Sequence, residues 1–536
     1  MGDVFGVPGP GQWQLDRSHY TGGVTAISQW LMTDGMQHGF RRIFAELGVP
    51  ADTIEARFVN GFYYTRLRPL IGADRPSRKP PPTPLLWLAA RLHPEFRKRA
   101  KAAANTLATS PSNAVVDRWH REIRPSLRAT NLRLQDVDPS TLADDGLREH
   151  VGELLDHLHT NYELHFWLHG HDLGPIARYL YECQGWGIDP ATAIDALAGA
   201  SPSTVHPRER LHRIRLLIDE SETPVTSLDD VRAVSEEAAT LLDEHLREHG
   251  HVLTTGYDIT ASTLGELPDV VLQSIRTASP APTYDAEATA SRLRGLVPAE
   301  HRDDFDRVLA DARNVMDMRD DQGPMTIEWP AGLLRRALLE AGSRLGVGDH
   351  VFELTPGEAR GLFGETTPTA DELRSRAATR QTEAALDPPL ILGDPEAQPP
   401  LDALPTALAT TVAMVQFSMK YTGLAGDRTD PPLSGTGVGA VSYTGRAVVA
   451  DSADDAMERL APGDVLVVRA TSPAFNLVLS IAGAVVTVDG GAMSHAAVLA
   501  RELGIPAVIG ASGALSITDG AMVEVDPVAG AVRPLG

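Results

Sequence analysis

A glycine pair leading into a capped helix is the feature that most restricts what this chain can fold into. Ala484-Val485-Val486-Thr487-Val488 is short, apolar and β-branched, as a buried strand should be, and Gly490-Gly491 then supplies a turn with little steric restriction. Ser494 is a good N-cap residue, Ala496 to Glu502 are mostly strong helix formers, and Gly504 followed by Pro506 closes the helix. His495 therefore falls in the first helical turn. There the backbone N–H groups have no intrahelical partner and the helix dipole is positive, so a phosphorylated imidazole would be stabilised. The competing reading is a histidine that only helps to cap a helix and has no chemistry.

Composition bounds the rest. With 536 residues, 43% of them hydrophobic, the chain has material for two to four cores. No run is long enough to span a membrane, and Met1-Gly2-Asp3-Val4-Phe5-Gly6 lacks the layout of a signal peptide, which predicts a cytoplasmic location. A net charge of −23 repels nucleic acid and anionic lipid, so neither is an expected partner. Cys183 is the only cysteine, which leaves no intrachain disulfide and no cysteine-based zinc site. No metal site is expected.

Three proline-rich breaks organise the chain. Arg75-Pro76-Ser77-Arg78-Lys79-Pro80-Pro81-Pro82-Thr83-Pro84 reads as a stiff surface connector, and a second break surrounds Leu386-Asp387-Pro388-Pro389 and Pro395-Glu396-Ala397-Gln398-Pro399-Pro400. Asp430-Pro431-Pro432-Leu433-Ser434-Gly435-Thr436-Gly437 is the third. The expected organisation is multidomain: a mainly α-helical substrate-binding domain over 1–425, a flexible tether over 426–437, and a compact α/β domain over 438–536 carrying His495.

Within the helical part, Leu147, Val151, Leu154, Leu158 and Tyr162 recur at helical spacing, and the same face continues through His165 and His169. Either these are core histidines bonded to the backbone, or one of them orients or deprotonates a substrate hydroxyl in a pocket with Phe166, Trp167 and His171 close by. A second amphipathic segment, opened by Asp303-Asp304, carries Phe305, Val308, Leu309, Ala312, Val315 and Met316 and continues to Arg319. An arginine there needs an anion, which is either Asp320, Asp321 or another structural acid, or a bound phosphoryl group.

The Gly490-Gly491-x-x-Ser494-His495-x-Ala497 core, the run from Ala500-Arg501-Glu502-Leu503-Gly504 to Val508, and Asp519-Gly520 resemble the phosphohistidine swivelling domain of the phosphoenolpyruvate synthase and pyruvate phosphate dikinase superfamily. Met493 stands where several members have threonine, which is similar to the rifampicin phosphotransferase branch. The resemblance implies that His495 carries the phosphoryl group, with Gly490, Gly491, Ser494 and Arg501 supporting its loop. Arg313 to Asp321, followed by Arg335-Arg336 and Asp349 to Leu354, looks like the stretch of rifampicin phosphotransferase in which the arginine equivalent to Arg319 reaches the transferred group. The lysine that some relatives carry a few residues later is replaced here by Gln322-Gly323-Pro324. Weaker likeness appears at Pro8 to Asp16, at Arg57-Phe58-Val59-Asn60-Gly61-Phe62-Tyr63-Tyr64, and at His249-Gly250-His251 leading into Tyr257-Asp258-Ile259. His251 joins the substrate-site candidates on that basis.

Members of this superfamily that charge their own histidine carry an ATP-grasp domain. No P-loop or basic glycine-rich nucleotide loop is seen in this sequence, so the resemblance implies an ATP-grasp partner subunit that binds ATP and Mg2+, with no cofactor held firmly by this chain. Split arrangements of this sort resemble phenylphosphate synthase and the two-component synthase that acts on 4-cresol-type phenols. The expectation is a phosphocarrier subunit that moves a phosphoryl group to the hydroxyl of a small organic acceptor, a phenol such as an alkylphenol. Two other readings stay open: a component of a rifampicin-like antibiotic phosphotransferase, and a non-catalytic phosphoacceptor module.

Overall fold

The computed structural model describes residues 5–535 apart from 17–18, 21, 76, 80–81, 222–223, 255, 281–284, 398–399, 423–431, 452, 472–474 and 493. Much of the expected tether, and Met493, lie outside the described residues. The chain is predominantly helical, with a mixed sheet near its C-terminus. It forms two compact units: Met1–Gly174 with Tyr257–Thr260 and Gln322–Val415, and Pro175–Gly256 with Ala261–Asp321 and Gln416–Gly536. One division falls at Gly174-Pro175, inside the helix Asp144–Gly185. Among the described residues no helix is long and apolar enough to cross a membrane.

The first unit contains a sheet that the helical pattern did not predict. Strands β1 (Trp13–Leu15), β2 (Ala51–Val59), β3 (Phe62–Pro69) and β4 (Ile391–Leu392) form an antiparallel sheet in the order β2-β3-β1-β4. The β2–β3 hairpin turns on Asn60 and Gly61, both at positive φ, the Asn-Gly pair that a two-residue hairpin favours. Phe62, Tyr63 and Tyr64 are all buried on this sheet.

Helix Ala26–Leu47 packs against β2 and against the long helix Asp144–Gly185. Gly35 and Gly39, four residues apart, make the helix crossing possible. A Cβ on Gly35 would lie 2.5 Å from Tyr162 Cβ, and one on Gly39 would lie 2.6 Å from both the Glu163 carbonyl oxygen and Phe166 Cβ. The backbones therefore approach more closely than any side chain allows, which fixes the long helix in register just where it carries Tyr162, His165 and Phe166. Leu147, Val151, Leu154 and Leu158 are fully buried, as their spacing predicts.

The fragment Tyr257–Thr260 is stitched into the first unit from a distance in sequence. The Asp258 carboxylate accepts from Thr25 N (2.8 Å) and Thr25 Oγ1 (3.0 Å) at the start of helix Ala26–Leu47, and from Thr260 N and Oγ1. Arg335 Nη1 donates to the carbonyls of Ile259 and Thr260.

In the second unit, helices Pro202–Asp219, Leu228–Val234, Glu236–His249 and Pro268–Thr277 share a core of Ile214, Val231, Leu242, Val271, Leu272 and Ile275. Helix Arg302–Asn314 buries Phe305, Val308, Leu309 and Ala312 before the chain turns into helix Met316–Gly323. The C-terminal part is a seven-stranded sheet of β5 (Thr436–Val438), β6 (Tyr443–Ala450), β7 (Val465–Val468), β8 (Ala484–Thr487), β9 (Ala507–Ile509), β10 (Met522–Asp526) and β11 (Ala531–Pro534). The order is β11-β10-β6-β7-β8-β9-β5, with β6, β7, β8 and β9 parallel. Strands β7 and β8 are buried at every position, as parallel strands covered on both faces should be. Residues 436–437, at the end of the expected tether, are part of edge strand β5 and pair with β9.

Replacing Gly39 by alanine tests the helix crossing. Alanine raises helix propensity, yet its Cβ meets backbone that has nowhere to move, so the variant should lose about 1–3 kcal/mol of stability. Chemical denaturation of Gly39→Ala beside a Gly152→Ala control, where nothing lies within 4 Å of the added Cβ, checks this.

Candidate functional site

Strand β8 ends at Thr487, and the chain then crosses Gly490, at φ 114°, to the helix His495–Leu503. A Cβ at Gly490 would lie 2.9 Å from Ser494 Oγ and 3.1 Å from Ile509 Cγ2, so this turn admits only glycine in both conformation and space. Ser494 caps the helix by accepting from Ala497 N, and Gly504, at φ 68°, ends it. Residue 495 is the first residue of the helix.

Arg501, two turns along, braces the loop in front of it. Its Nη1 donates to the Ala492 carbonyl (2.9 Å) and the Ala497 carbonyl (3.1 Å), while Nε donates to Asp195 Oδ1 (3.0 Å) on the short turn Ile194–Leu197. Burial lowers the pKa of this guanidinium, and the Asp195 carboxylate opposes that shift. One side chain thus ties the histidine loop to its own helix and to the helical part of the same unit. Asp195 was not evident from sequence, since nothing local marks it as a partner of a residue three hundred positions away.

Val498 and Arg501 line a small cleft with Ile176, Leu197, Met316 and Arg319. Arg319, on the helix Met316–Gly323, donates from Nη1 to Asp320 Oδ1 at 3.1 Å, so the acidic neighbour expected as its structural partner is in place. The cleft has about 20 Å³ of room, enough for a single water and far less than an aromatic ring needs. It is a seat for the face of helix His495–Leu503 that carries Val498 and Arg501.

In the first unit, His165 is 6% exposed, with Nδ1 3.2 Å from Thr326 Oγ1 and its ring 4.5 Å from that of His169. Burial, then His169 and His19, push its pKa well below the usual histidine value, so it is neutral at physiological pH. His169 meets Asp172 (3.2 Å) and Gln322, and Gln322 also bonds Asp172. Phe166 packs on Phe40 and on the His165 and His169 rings. Trp167 points elsewhere: its Nε1 donates to Glu46 Oε2 (2.7 Å) and Arg42 lies 4.2 Å over its ring. His251 belongs to the second unit, in the turn after helix Glu236–His249. Among the described residues no group of three or more His, Cys, Asp or Glu is arranged to hold a metal ion.

Around His165 the structure also gathers groups that the sequence does not mark as neighbours. Tyr20, Tyr63, Tyr162 and Tyr257 converge with the Asp16–His19 pair (2.8 Å) and with Glu328, which sits on a π-helical turn, Pro324–Glu328, just after the helix Met316–Gly323. Burial pushes the Glu328 carboxyl up to about 8. Pro324 was the available signal, because a proline inside a long helical run forces local rearrangement of the ladder.

Residues 460–530 match the family model described as PEP-utilising enzyme, mobile domain. The chain is 43% identical over 90 residues to phosphoenolpyruvate synthase of Aeropyrum pernix, a stretch covering 17% of this chain and 11% of that protein. It is 28% identical to chondramide synthase cmdD of Chondromyces crocatus over 98% of this chain and 14% of the synthase. An uncharacterised protein of Mycobacterium tuberculosis is 30% identical over 60% of this chain and 34% of its own length. The chain thus spans about a third or less of each of these relatives. The C-terminal fold has the character of the PEP-utilising superfamily, and the likeness to the synthase of Chondromyces crocatus extends over nearly the whole chain.

Two measurements check this geometry. Asp195→Ala removes the partner of Arg501; because Asp195 is half exposed the loss should be modest, about 1 kcal/mol, seen as about fivefold faster amide exchange within residues 495–503. Glu328 makes stability fall with pH. Between about pH 4.5 and pH 8 the folded protein holds this proton and the unfolded chain has released it. The depressed His165 works in the opposite sense only below its unfolded value of 6.5. From pH 6.5 to pH 8 wild type should therefore lose about 1–2 kcal/mol relative to Glu328→Gln, measured by urea denaturation across that range.

Proposed function

We propose that this chain is the substrate-binding and phosphocarrier component of an ATP-dependent phosphotransferase, in which His495 carries the phosphoryl group to the hydroxyl of a small organic acceptor, a phenol such as an alkylphenol. The observation that carries the reading is the position of residue 495 as the first residue of a Ser494-capped helix behind the Gly490 turn, within the segment that matches the mobile domain. Helix N-termini favour anions through unpaired N–H groups and the dipole, which suits a phosphorylated imidazole. An ATP-grasp partner would bind ATP and Mg2+ and charge the histidine. Transfer then needs positioning, cationic stabilisation and a base for the hydroxyl proton. In this reading Arg319 offers the cation, and Arg501 keeps the loop in shape through the Ala492 carbonyl.

The cleft at Arg319 bears on the acceptor. At about 20 Å³ it has no space for an antibiotic macrocycle. It is equally too small for a phenol, and acceptor room has to be found elsewhere in the chain.

Incubation with ATP labelled at the β-phosphate, with and without an ATP-grasp protein, followed by alkaline quench and intact-mass analysis, tests the reading. The expected result is one acid-labile phosphoryl adduct that requires the partner and disappears in His495→Ala. An adduct that persists in His495→Ala would overturn the assignment. An adduct that forms but passes to none of a panel of phenols would favour the non-catalytic phosphoacceptor.

A further inference from the structure

One helix of the first unit is apolar on its outside as well as on its inside. Helix Thr83–Leu92 turns Leu86 and Ala90 inward, where Ala90 joins a small core with Ala103, Leu404 and Leu408. Its outer residues are no more polar: Leu85, Trp87, Leu88 and Leu92 are 59%, 48%, 46% and 64% exposed. Helical geometry sets Leu85, Leu88 and Leu92 within about 60° of one another, so the three form one stripe along the helix. Trp87 flanks it, covered on one ring face by Arg91, whose guanidinium lies 4.1 Å from the ring centre and also donates to the Ala403 carbonyl. A helix apolar all round is normally buried on every side, and a contiguous exposed apolar patch marks a surface that meets something else.

The charge around the stripe identifies the partner. Residues 75–101 hold eight arginines and lysines and a single acid, Glu95, in a chain whose net charge is −23. Three of the chain's four lysines are here. Arg99 is buried and donates to the Val49 carbonyl, and Arg78 pairs with Asp394, so these two are spent on the protein itself. Arg75, Lys79, Arg97, Lys98 and Lys101 are exposed, and none of them is in an ion pair among the described residues. They bracket the stripe along the chain. Arg75 and Lys79 precede helix Thr83–Leu92, and the other three follow it on helix Pro94–Thr109, which starts after a one-residue connection at His93.

We propose that this face docks on an anionic lipid bilayer, with helix Thr83–Leu92 lying in the interface, its leucine stripe and Trp87 at the acyl-chain boundary and the five cations among the head groups. Interfacial helices place Leu and Trp below the head groups and bring Lys and Arg to the phosphates, the long basic side chains keeping their stems on apolar surface and their charges in water. Each Lys or Arg at an anionic surface strengthens binding about fivefold.

The chain's net charge opposes this contact only at a distance. At physiological ionic strength charges are screened over about 8 Å, so a bilayer touching the stripe responds to the cations beside it. The acids next to this segment, Asp74 and Asp394, are paired with Arg68 and Arg78. A second copy of the chain is a poorer occupant, because joining two stripes about a twofold axis sets the cations of one copy against the same cations of the other. A groove in another protein grips a helix by a wide apolar face, and here the inner face of the helix is already occupied. The inference stands apart from the phosphoryl-transfer reading, since neither His495 nor an acceptor takes part in it.

Co-sedimentation of the full chain with extruded vesicles tests the proposal. Wild type should bind vesicles of phosphatidylcholine and phosphatidylglycerol in equal parts, release them as salt is raised, and bind pure phosphatidylcholine at least about 10-fold more weakly. Lys98→Gln with Lys101→Gln should weaken binding to the mixed vesicles about 25-fold, and Leu88→Ser with Leu92→Ser at least about 10-fold. All four side chains are exposed, so both double variants should keep the wild-type urea midpoint, which separates lost binding from lost fold. A polarity-sensitive dye on Leu92→Cys should shift to the blue on the mixed vesicles; Cys183 is buried and leaves the label at one place. Indifference of wild type to the mixed vesicles, or binding that survives in either double variant, would overturn the proposal. So would dimers in sedimentation velocity that Leu88→Ser with Leu92→Ser abolishes, because the stripe would then be the contact of a second copy.

Discussion

Close approach of two helices, at Gly35 and Gly39 against Tyr162, Glu163 and Phe166, is the constraint on which the first unit depends. Dispersion and burial between backbones at that distance hold the long helix in one rotation and one register, because any side chain larger than hydrogen would force the pair apart. Rotation matters here for chemistry as well as for packing. A helix turned by one residue, about 100°, would bring different side chains in place of Tyr162 and His165 and leave the tyrosine cluster without two of its members.

The rest of the tyrosine cluster is held by polar contacts that reach across the sequence. Asp258 caps a helix that begins more than two hundred residues earlier, and Arg335 binds the carbonyls that follow it, so Tyr257 is delivered to the cluster by hydrogen bonds made by its neighbours. On the opposite side the π turn Pro324–Glu328 widens the helical ladder and brings the Glu328 carboxyl into the interior. The consequence is electrostatic. Burial makes the carboxyl keep its proton toward neutral pH, at the cost of some stability as the pH rises.

The histidine loop of the second unit works by the reverse logic, being almost wholly local. Strand, glycine turn, serine cap and helix follow one another within about twenty residues, and the Asp195 carboxylate on Arg501 is a distant contribution.

The sequence by itself determined the elements whose signals are short-range. The cap at Ser494, the stop at Gly504, the buried strands β7 and β8, and the apolar faces Leu147 to Tyr162 and Phe305 to Met316 are all where their spacing and propensities put them. The Asn60-Gly61 hairpin is a short-range signal of the same kind, an Asn-Gly pair at positive φ. Tertiary structure alone decided which residues meet. It turned Trp167 toward Glu46 while leaving Phe166 on the histidines, joined Arg501 to Asp195, and collected Tyr20, Tyr63, Tyr162, Tyr257 and Glu328 from across the chain. The reason is physical: hydrophobic periodicity records which face of an element is covered, but not by what, and an unpaired buried carboxyl has no signature until the groups around it are known to lack a charge.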